Sequence, residues 1–493
     1  MQKIIGTTTG FLLLLQGVGY AQFANWLNDI DFDLLTSDYG ASLATGSNVS
    51  VTIVESGGYP DVNDARFIPG KTMTPRTGVV GSTSHATIVG ALFFGDESGF
   101  SQRSVAPGIA NIDMYTTAWS GAYFLTPGTV GPLVSPNLSR VASHAYGEST
   151  SLNNLSRIDY VVERDDFIQV VGSHAVSGHG NGFNSISVAP SSGLSGSALD
   201  GTQPVSGSTP YVAGRYRPDV TGPRGTTSDS IGATAGVVAL LVSRGKTTTS
   251  FTNYTARPGY SVESGHTSEV IKAALMAGAS RQTSGNLDTV NITDYRSSES
   301  SRTSNGLDKR FGAGLINVYN SYKIIDAGEL NSAQDTPGGM GGGISRYGFD
   351  YDPSFGGSGT SNAQADYGFV AGSSGKFIAT LAWNLKVVGP TAPYNNFSSD
   401  AALYNLNISL IDLTTQSVVQ SSASLIDNTE NIWADLISGH QYLLRVTAAG
   451  APFEWDYGLA WRSEATITPL VVPEPWTVGW WGGVGFFLVR RLR

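Results

Sequence analysis

Thr226-Thr227-Ser228-Asp229-Ser230-Ile231-Gly232-Ala233-Thr234-Ala235-Gly236 opens a run of small and apolar residues that continues through Leu240-Leu241. The pattern predicts a helix over 228–242 with a serine at its start. A serine there lies beside free backbone N–H groups, which can stabilise a developing oxyanion. Toward the N-terminus, 85–92 reads as a second helix of small residues, led by His85. Earlier still, 49–54 is apolar and β-branched and runs into Glu55-Ser56-Gly57-Gly58. A short unbroken apolar strand that ends in an acid and glycines suits the edge of a parallel sheet. Between and after these segments, 109–115, 167–171 and 185–189 read as strands, and 157–164 and 269–279 as helices. Strands alternating with helices predict an α/β domain with a mostly parallel sheet.

Each of the three polar residues has a physical reason for its place. An acid at a strand's carboxyl end faces the sheet edge, and a histidine at a helix start can reach the same crevice. Acid, histidine and serine in this chain order are the subtilisin arrangement. The chain also resembles the subtilisin-like serine peptidases, the subtilases, at further points. Ser104-Val105-Ala106-Pro107-Gly108 is similar to the family's turn after the histidine helix. Arg217-Pro218-Asp219-Val220 is similar to the segment before its serine, and Gly312-Ala313-Gly314-Leu315-Ile316-Asn317 to the segment near its domain end. The resemblance covers residues 49–328 in order.

The resemblance implies a subtilisin-like fold and a serine endopeptidase acting on polypeptides. Ser228 would be the nucleophile, His85 the general base and Glu55 the carboxylate that orients it. Glu55 stands where the family has aspartate; Asp61 and Asp64 follow closely and are alternatives. The segment Val170-Val171-Gly172-Ser173-His174-Ala175 lacks the family's oxyanion asparagine, which leaves His174 as the candidate, then Ser173 and Asn181. Ser143 and Gly147 fall where the family builds a wall of its substrate cleft, and His144 beside them reads as a cleft or packing residue. These departures also admit another reading, a catalytically impaired subtilase-like envelope protein that binds or assembles. No cofactor is expected. Family members often carry structural calcium, but no Asp-x-Asp-x-Asp-Gly loop is present. No histidine pair has zinc-ligand spacing, so no metal ligands are assigned.

Bulk composition narrows the function classes. A chain of 493 residues exceeds one ordinary core. Its net charge of −10 argues against a nucleic-acid partner. The absence of cysteine excludes disulfides, thiolate metal sites and a cysteine nucleophile.

Both ends read as addresses. Residues 1–21 have a lysine, an apolar run and Gly19-Tyr20-Ala21, the order of a secretory signal. At the other end Val472-Pro473-Glu474-Pro475 precedes an apolar run, 476–489, closed by Arg490 and Arg491. That run is shorter than the ~20 residues of a spanning helix. It resembles the PEP-CTERM sorting tail of bacterial exported proteins. The likeness implies an exosortase-like processing partner, transient membrane association through the tail, and export to the cell envelope or medium. The domain order expected is therefore signal 1–21, N-terminal segment 22–48, catalytic domain 49–330, glycine-rich linker 331–345, β-sandwich 346–465 and tail 466–493. The sandwich rests on strand-like segments at 377–383, 405–413, 442–447 and 457–462, with Leu406, Ile408 and Leu410 alternating against polar neighbours.

Overall fold

The computed structural model describes residues 26–67, 70–77, 81–95, 103–116, 139–147, 152–173, 178–193, 211, 214–251, 253–257, 260–281, 299–336, 341–389 and 401–470. The signal and sorting segments, 1–21 and 472–493, lie outside these residues. The N-terminal segment forms two short helices, α1 (Trp26–Asp29) and α2 (Phe32–Tyr39), which bury Trp26, Leu27 and Leu35.

Seven strands form one sheet: β1 (Val51–Glu55), β2 (Thr72–Pro75), β3 (Asn111–Thr116), β4 (Val141–His144), β5 (Ile168–Gly172), β6 (Ile186–Ala189) and β7 (Val220–Thr221). Their order is β2-β3-β1-β4-β5-β6-β7, and every pairing is parallel. β1 sits near the middle and is buried along its whole length, which accounts for its unbroken apolar run. Helices α3 (Ser84–Phe94), α4 (Leu152–Asp165), α5 (Thr227–Gly245), α6 (Ser268–Gly278) and α7 (Val318–Asp326) complete the α/β layer. A hairpin of β8 (Asn253–Arg257) and β9 (Tyr260–Glu263) lies between α5 and α6.

α5 is buried over most of its length, and its glycines decide how close α3 can come. A Cβ on Gly232 would lie 2.7 Å from the Val89 carbonyl oxygen, and one on Gly236 would lie 3.1 Å from those of Leu92 and Phe93. The two helices therefore meet nearly backbone to backbone. The cost of glycine inside a helix, about 1 kcal/mol, is the cost of that approach.

The C-terminal part is all β. β10 (Tyr347–Phe355), β19 (Trp455–Ser463), β12 (Gly375–Ala382) and β17 (Thr429–Leu436) form one antiparallel sheet in that order. β16 (Ser417–Ser422), β15 (Asn405–Asp412), β18 (Gln441–Ala449), β11 (Gln364–Ala371) and β20 (Ile467–Pro469) form the second. β13 (Lys386–Val387) and β14 (Ala401–Ala402) pair separately. Along β15, Leu406, Ile408 and Leu410 are buried and the residues between them less so, as the alternation predicts.

The sandwich is less separate than the composition of 331–345 suggests. Phe377, Ala379 and Leu381 fill its own core, whereas Ile378 and Ala382 on the other face of β12 join the core of the α/β layer. α6 is what they cover. A Cβ on Gly458 of β19 would lie 2.5 Å from the Val270 amide nitrogen of α6. Arg462 donates from Nε to the Ala277 carbonyl at 2.9 Å and from Nη2 to the Ala279 carbonyl at 3.2 Å, neutralising the helix's carboxyl end. Asn184 and Leu385 exchange two hydrogen bonds across the same seam. The expected linker is itself packed on both sides of 337–340, which lie outside the described residues. Ser332 receives the Thr336 hydroxyl on its carbonyl, Ala333 donates to the Asp366 carbonyl, and Ile344 is buried and bonded to Gly368. Gly342, with φ of +75°, lets the backbone approach the sheet: a Cβ there would lie 2.5 Å from the Asp366 carbonyl oxygen.

Candidate active site

Glu55 closes β1 at the carboxyl end of the sheet, and only 1% of its side chain is exposed. Gly57, with φ of +82°, turns the chain away two residues later. His85 is the second residue of α3, whose start is capped by Thr83 accepting from the Ala86 amide at 3.1 Å. Ser228 is the second residue of α5, capped in the same way by Thr226 accepting from the Asp229 amide at 3.2 Å. Two threonine-capped helices thus present His85 and Ser228 from equivalent positions. The close α3–α5 contact through Gly232 and Gly236 fixes their relation.

His85 Nδ1 lies 2.9 Å from Glu55 Oε2. The ring is 48% exposed on its other side, so Nε2 is open to a substrate while Nδ1 is held from beneath. Burial pushes the Glu55 carboxyl up, and the bond from His85 opposes that push. The bond to Glu55 in turn raises His85 above its ordinary value, with Asp229 adding a smaller push in the same direction. The second carboxylate oxygen, Oε1, is buried with no hydrogen-bond partner among the described residues. One half of Glu55 is therefore desolvated without compensation, the physical cause of its raised value.

His85 and Ser228 line one cavity of about 370 Å³, together with Tyr146, Gly147, Gly172 and Ile231. The Ser228 hydroxyl donates to the Ala145 carbonyl at 3.3 Å and is released by rotation about its one side-chain torsion. No bond joins Ser228 to His85 among the described residues; such contacts commonly tighten only once substrate is bound. The Thr227 and Ser228 amides occupy the first turn of α5 and have no partner among the described residues, leaving two donors beside the hydroxyl.

The alternatives to Glu55 are elsewhere. Asp64 is paired with Arg66 at 2.6 Å, and Asp61 accepts from the Asn63 amide in the same turn. Neither is bonded to His85. His174 lies outside the described residues. Ser173 is buried and its amide is spent on the Val188 carbonyl. Asn181 lends its carbonyl to Arg215 and is not part of the cavity wall. Of the two expected cleft residues, Gly147 lines the cavity and Ser143 does not. Ser143 sits inside β4, between β1 and β5, with 0% exposure in a strand whose four residues are all buried. His144 is buried too, and burial pulls it down to about 4.

Residues not anticipated from the sequence also shape the cavity. Ser56 and Thr83 flank His85, and Ile231 stands one helical turn beyond Ser228. Hydroxyl residues one or two positions ahead of a small-residue helix are a readable cap signal. Among the described residues no group of three His, Cys, Asp or Glu is arranged to hold a metal ion. None of their helices is long and apolar enough to cross a membrane.

The Gly232 contact yields a direct expectation. In Gly232→Ala the helix gains about 1 kcal/mol of intrinsic propensity, but the new methyl meets a backbone oxygen that cannot rotate away. Overpacking of this kind costs about 1–3 kcal/mol. Thermal denaturation should show a net loss of stability, and kcat should fall as His85 and Ser228 move apart. A stabilised, fully active variant would show that the close approach has no part in the site.

No family model matches the chain, and no curated protein matches it in sequence. Among solved structures, the patellamide maturation protease PatA is similar at 13% identity and a TM-score of 0.35, over 57% of this chain and 98% of PatA. A protease from Pseudoalteromonas arctica is similar at 14% identity and a TM-score of 0.33, over 57% of this chain and 91% of that one. A cold adapted subtilisin-like serine proteinase is similar at 15% identity and a TM-score of 0.30, over 50% of this chain and 88% of that one. Likeness at this level does not identify acting residues, so the chemistry has to come from the chain's own site.

Proposed function

We propose that the chain is an exported serine endopeptidase of the subtilisin-like kind that hydrolyses peptide bonds through an acyl-enzyme on Ser228. The observation that carries this reading is the buried Glu55 bonded to His85 at 2.9 Å beside a cavity that Ser228 shares. In the first step His85 Nε2 takes the Ser228 proton while Oγ attacks the scissile carbonyl carbon. The tetrahedral oxyanion is met by the free amides of the α5 first turn. His85 then gives the proton to the leaving amine, and water repeats the sequence to release the acid. Glu55 keeps Nδ1 protonated and Nε2 free. Uptake of a fluorophosphonate by the folded protein, with cleavage of an unfolded protein substrate, tests the reading.

One observation favours a second reading, a catalytically impaired envelope protein with a binding role. The Ser228 hydroxyl is bonded to Ala145 and not to His85. An unlabelled, correctly folded protein that cleaves nothing would leave that reading standing.

Export and sorting are part of the proposal and rest on the terminal segments. Deleting residues 472–493 is expected to leave the melting temperature unchanged and to shift the protein's location in a host that has the sorting machinery. Fractionation that finds the truncated protein where the full chain resides would overturn the sorting role.

A further inference from the structure

A chain of side-chain hydrogen bonds runs from Gln169 in β5 through His144 to Tyr146 on the cavity wall, and the Phe167 carbonyl sets its direction. Gln169 Nε2 donates to the Phe167 carbonyl at 2.7 Å, and a carbonyl can only accept. The amide is thereby oriented, so Oε1 is the atom that faces His144 Nε2 at 2.8 Å. An oxygen acceptor there requires the proton on Nε2. Burial keeps the His144 ring neutral, its value pulled down to about 4. A neutral ring with its proton on Nε2 has a lone pair on Nδ1. Nδ1 lies 3.3 Å from the Tyr146 hydroxyl, which must then be the donor. The two rings meet with centroids 5.8 Å apart at 51°. Tyr146 packs against the cluster of Val54, Ala142 and Phe167 and also lines the cavity that holds His85 and Ser228.

We propose that His144 and Gln169 are positioning residues that hold Tyr146 in one orientation, so that its ring forms a fixed wall selecting an uncharged, apolar side chain beside the scissile bond. The inference rests on the peptidase reading above. Among the described residues that line the cavity, none is Asp, Glu, Lys or Arg. With the phenol hydroxyl turned back to His144, the polar end of Tyr146 is satisfied away from the substrate. The ring that remains, with Ile231 and Gly172, is an apolar surface. A charged side chain entering it would lose its hydration without compensation. A tyrosine free to rotate would offer its hydroxyl to that charge and blunt the choice.

The test uses the full chain and peptides that differ only at the residue beside the scissile bond. In Tyr146→Phe the ring loses its tether, so KM for apolar peptides should rise about fivefold, the factor given by about 1 kcal/mol of lost pre-organisation, with kcat little changed. Gln169→Leu should raise KM similarly in the wild-type background and add nothing in the Tyr146→Phe background, because both act through one hydroxyl. Additive effects of the two would reduce Gln169 to a structural role and overturn the proposal. Nitrogen NMR of the protein labelled in its six histidines gives a readout independent of turnover. His144 should show the proton on Nε2, and its Nδ1 resonance should move in Tyr146→Phe. A proton on Nδ1 overturns the tether even if peptides are cleaved. A wild-type protein that cleaves no peptide overturns the peptidase reading and the selection built on it, whereas cleavage without apolar preference overturns the selection alone.

Discussion

Replacing Ser228 with alanine is expected to abolish fluorophosphonate labelling and lower kcat by roughly 10⁶, the scale for losing a nucleophile that acts as a unit with its base. His85→Ala should cost about as much, and the double variant little more, because neither group works without the other. The structural cost is much smaller. Ser228 contributes one hydroxyl, whose single bond to the Ala145 carbonyl is 3.3 Å long. An ordinary hydrogen bond adds about 1 kcal/mol to stability, against about 8 kcal/mol for the rate loss. The melting temperature should therefore fall by no more than a few degrees. Chemistry and folding separate cleanly at this residue, so calorimetry beside labelling is decisive. Residual labelling of Ser228→Ala would place the reactive hydroxyl elsewhere; Thr227, on the same cavity wall, would be the first residue to replace.

How legible the site was depended on how local its signals are. Glu55 ends an apolar run with glycines behind it, and His85 and Ser228 each begin a helix of small residues, so three separate local patterns locate three side chains. Ser143 was misplaced because β4 is only four residues long and has no apolar run to reveal it. Once the strand is known, its burial follows: a central strand of a parallel sheet is covered on both faces, and all four residues of β4 are buried. The seat of the sandwich on α6 was partly legible. The apolar run through 377–382 does not alternate, a sign that both faces of β12 are covered. Nothing local shows that the cover is α6, since Arg462 and the carbonyls it binds, at Ala277 and Ala279, are far apart in sequence. The Gln169–His144–Tyr146 chain is equally non-local in part. It joins the end of one strand to the next through side chains whose proton positions follow only from the distances between them.

Glu55→Gln separates the two roles that a buried carboxylate can have. The wild-type side chain is desolvated, one oxygen has no partner among the described residues, and burial pushes its carboxyl up. An uncharged amide removes the cost of burying a charge. Stability near neutral pH should therefore hold or rise. Activity should go the other way, falling by about 10⁴, the loss known for an amide in the orienting position of such a triad. The amide can present N–H to Nδ1 and so force the His85 proton onto Nε2, where the serine needs a base. It also withdraws the negative charge that favours the imidazolium. The sign of the pH effect follows from the same bond. Glu55 raises His85, so in the wild type the imidazole is protonated and idle up to a pH above the ordinary ~6.5. The acid limb of kcat/KM should accordingly lie above that value and belong to the Glu55–His85 pair as a unit. In Glu55→Gln the limb should move to lower pH, because the partner that held the proton on His85 is gone. Profiles of kcat/KM from pH 5 to 9, with melting curves at each pH, read both effects. Retained activity with an unmoved acid limb would remove Glu55 from the catalytic group and leave its bond to His85 a packing contact.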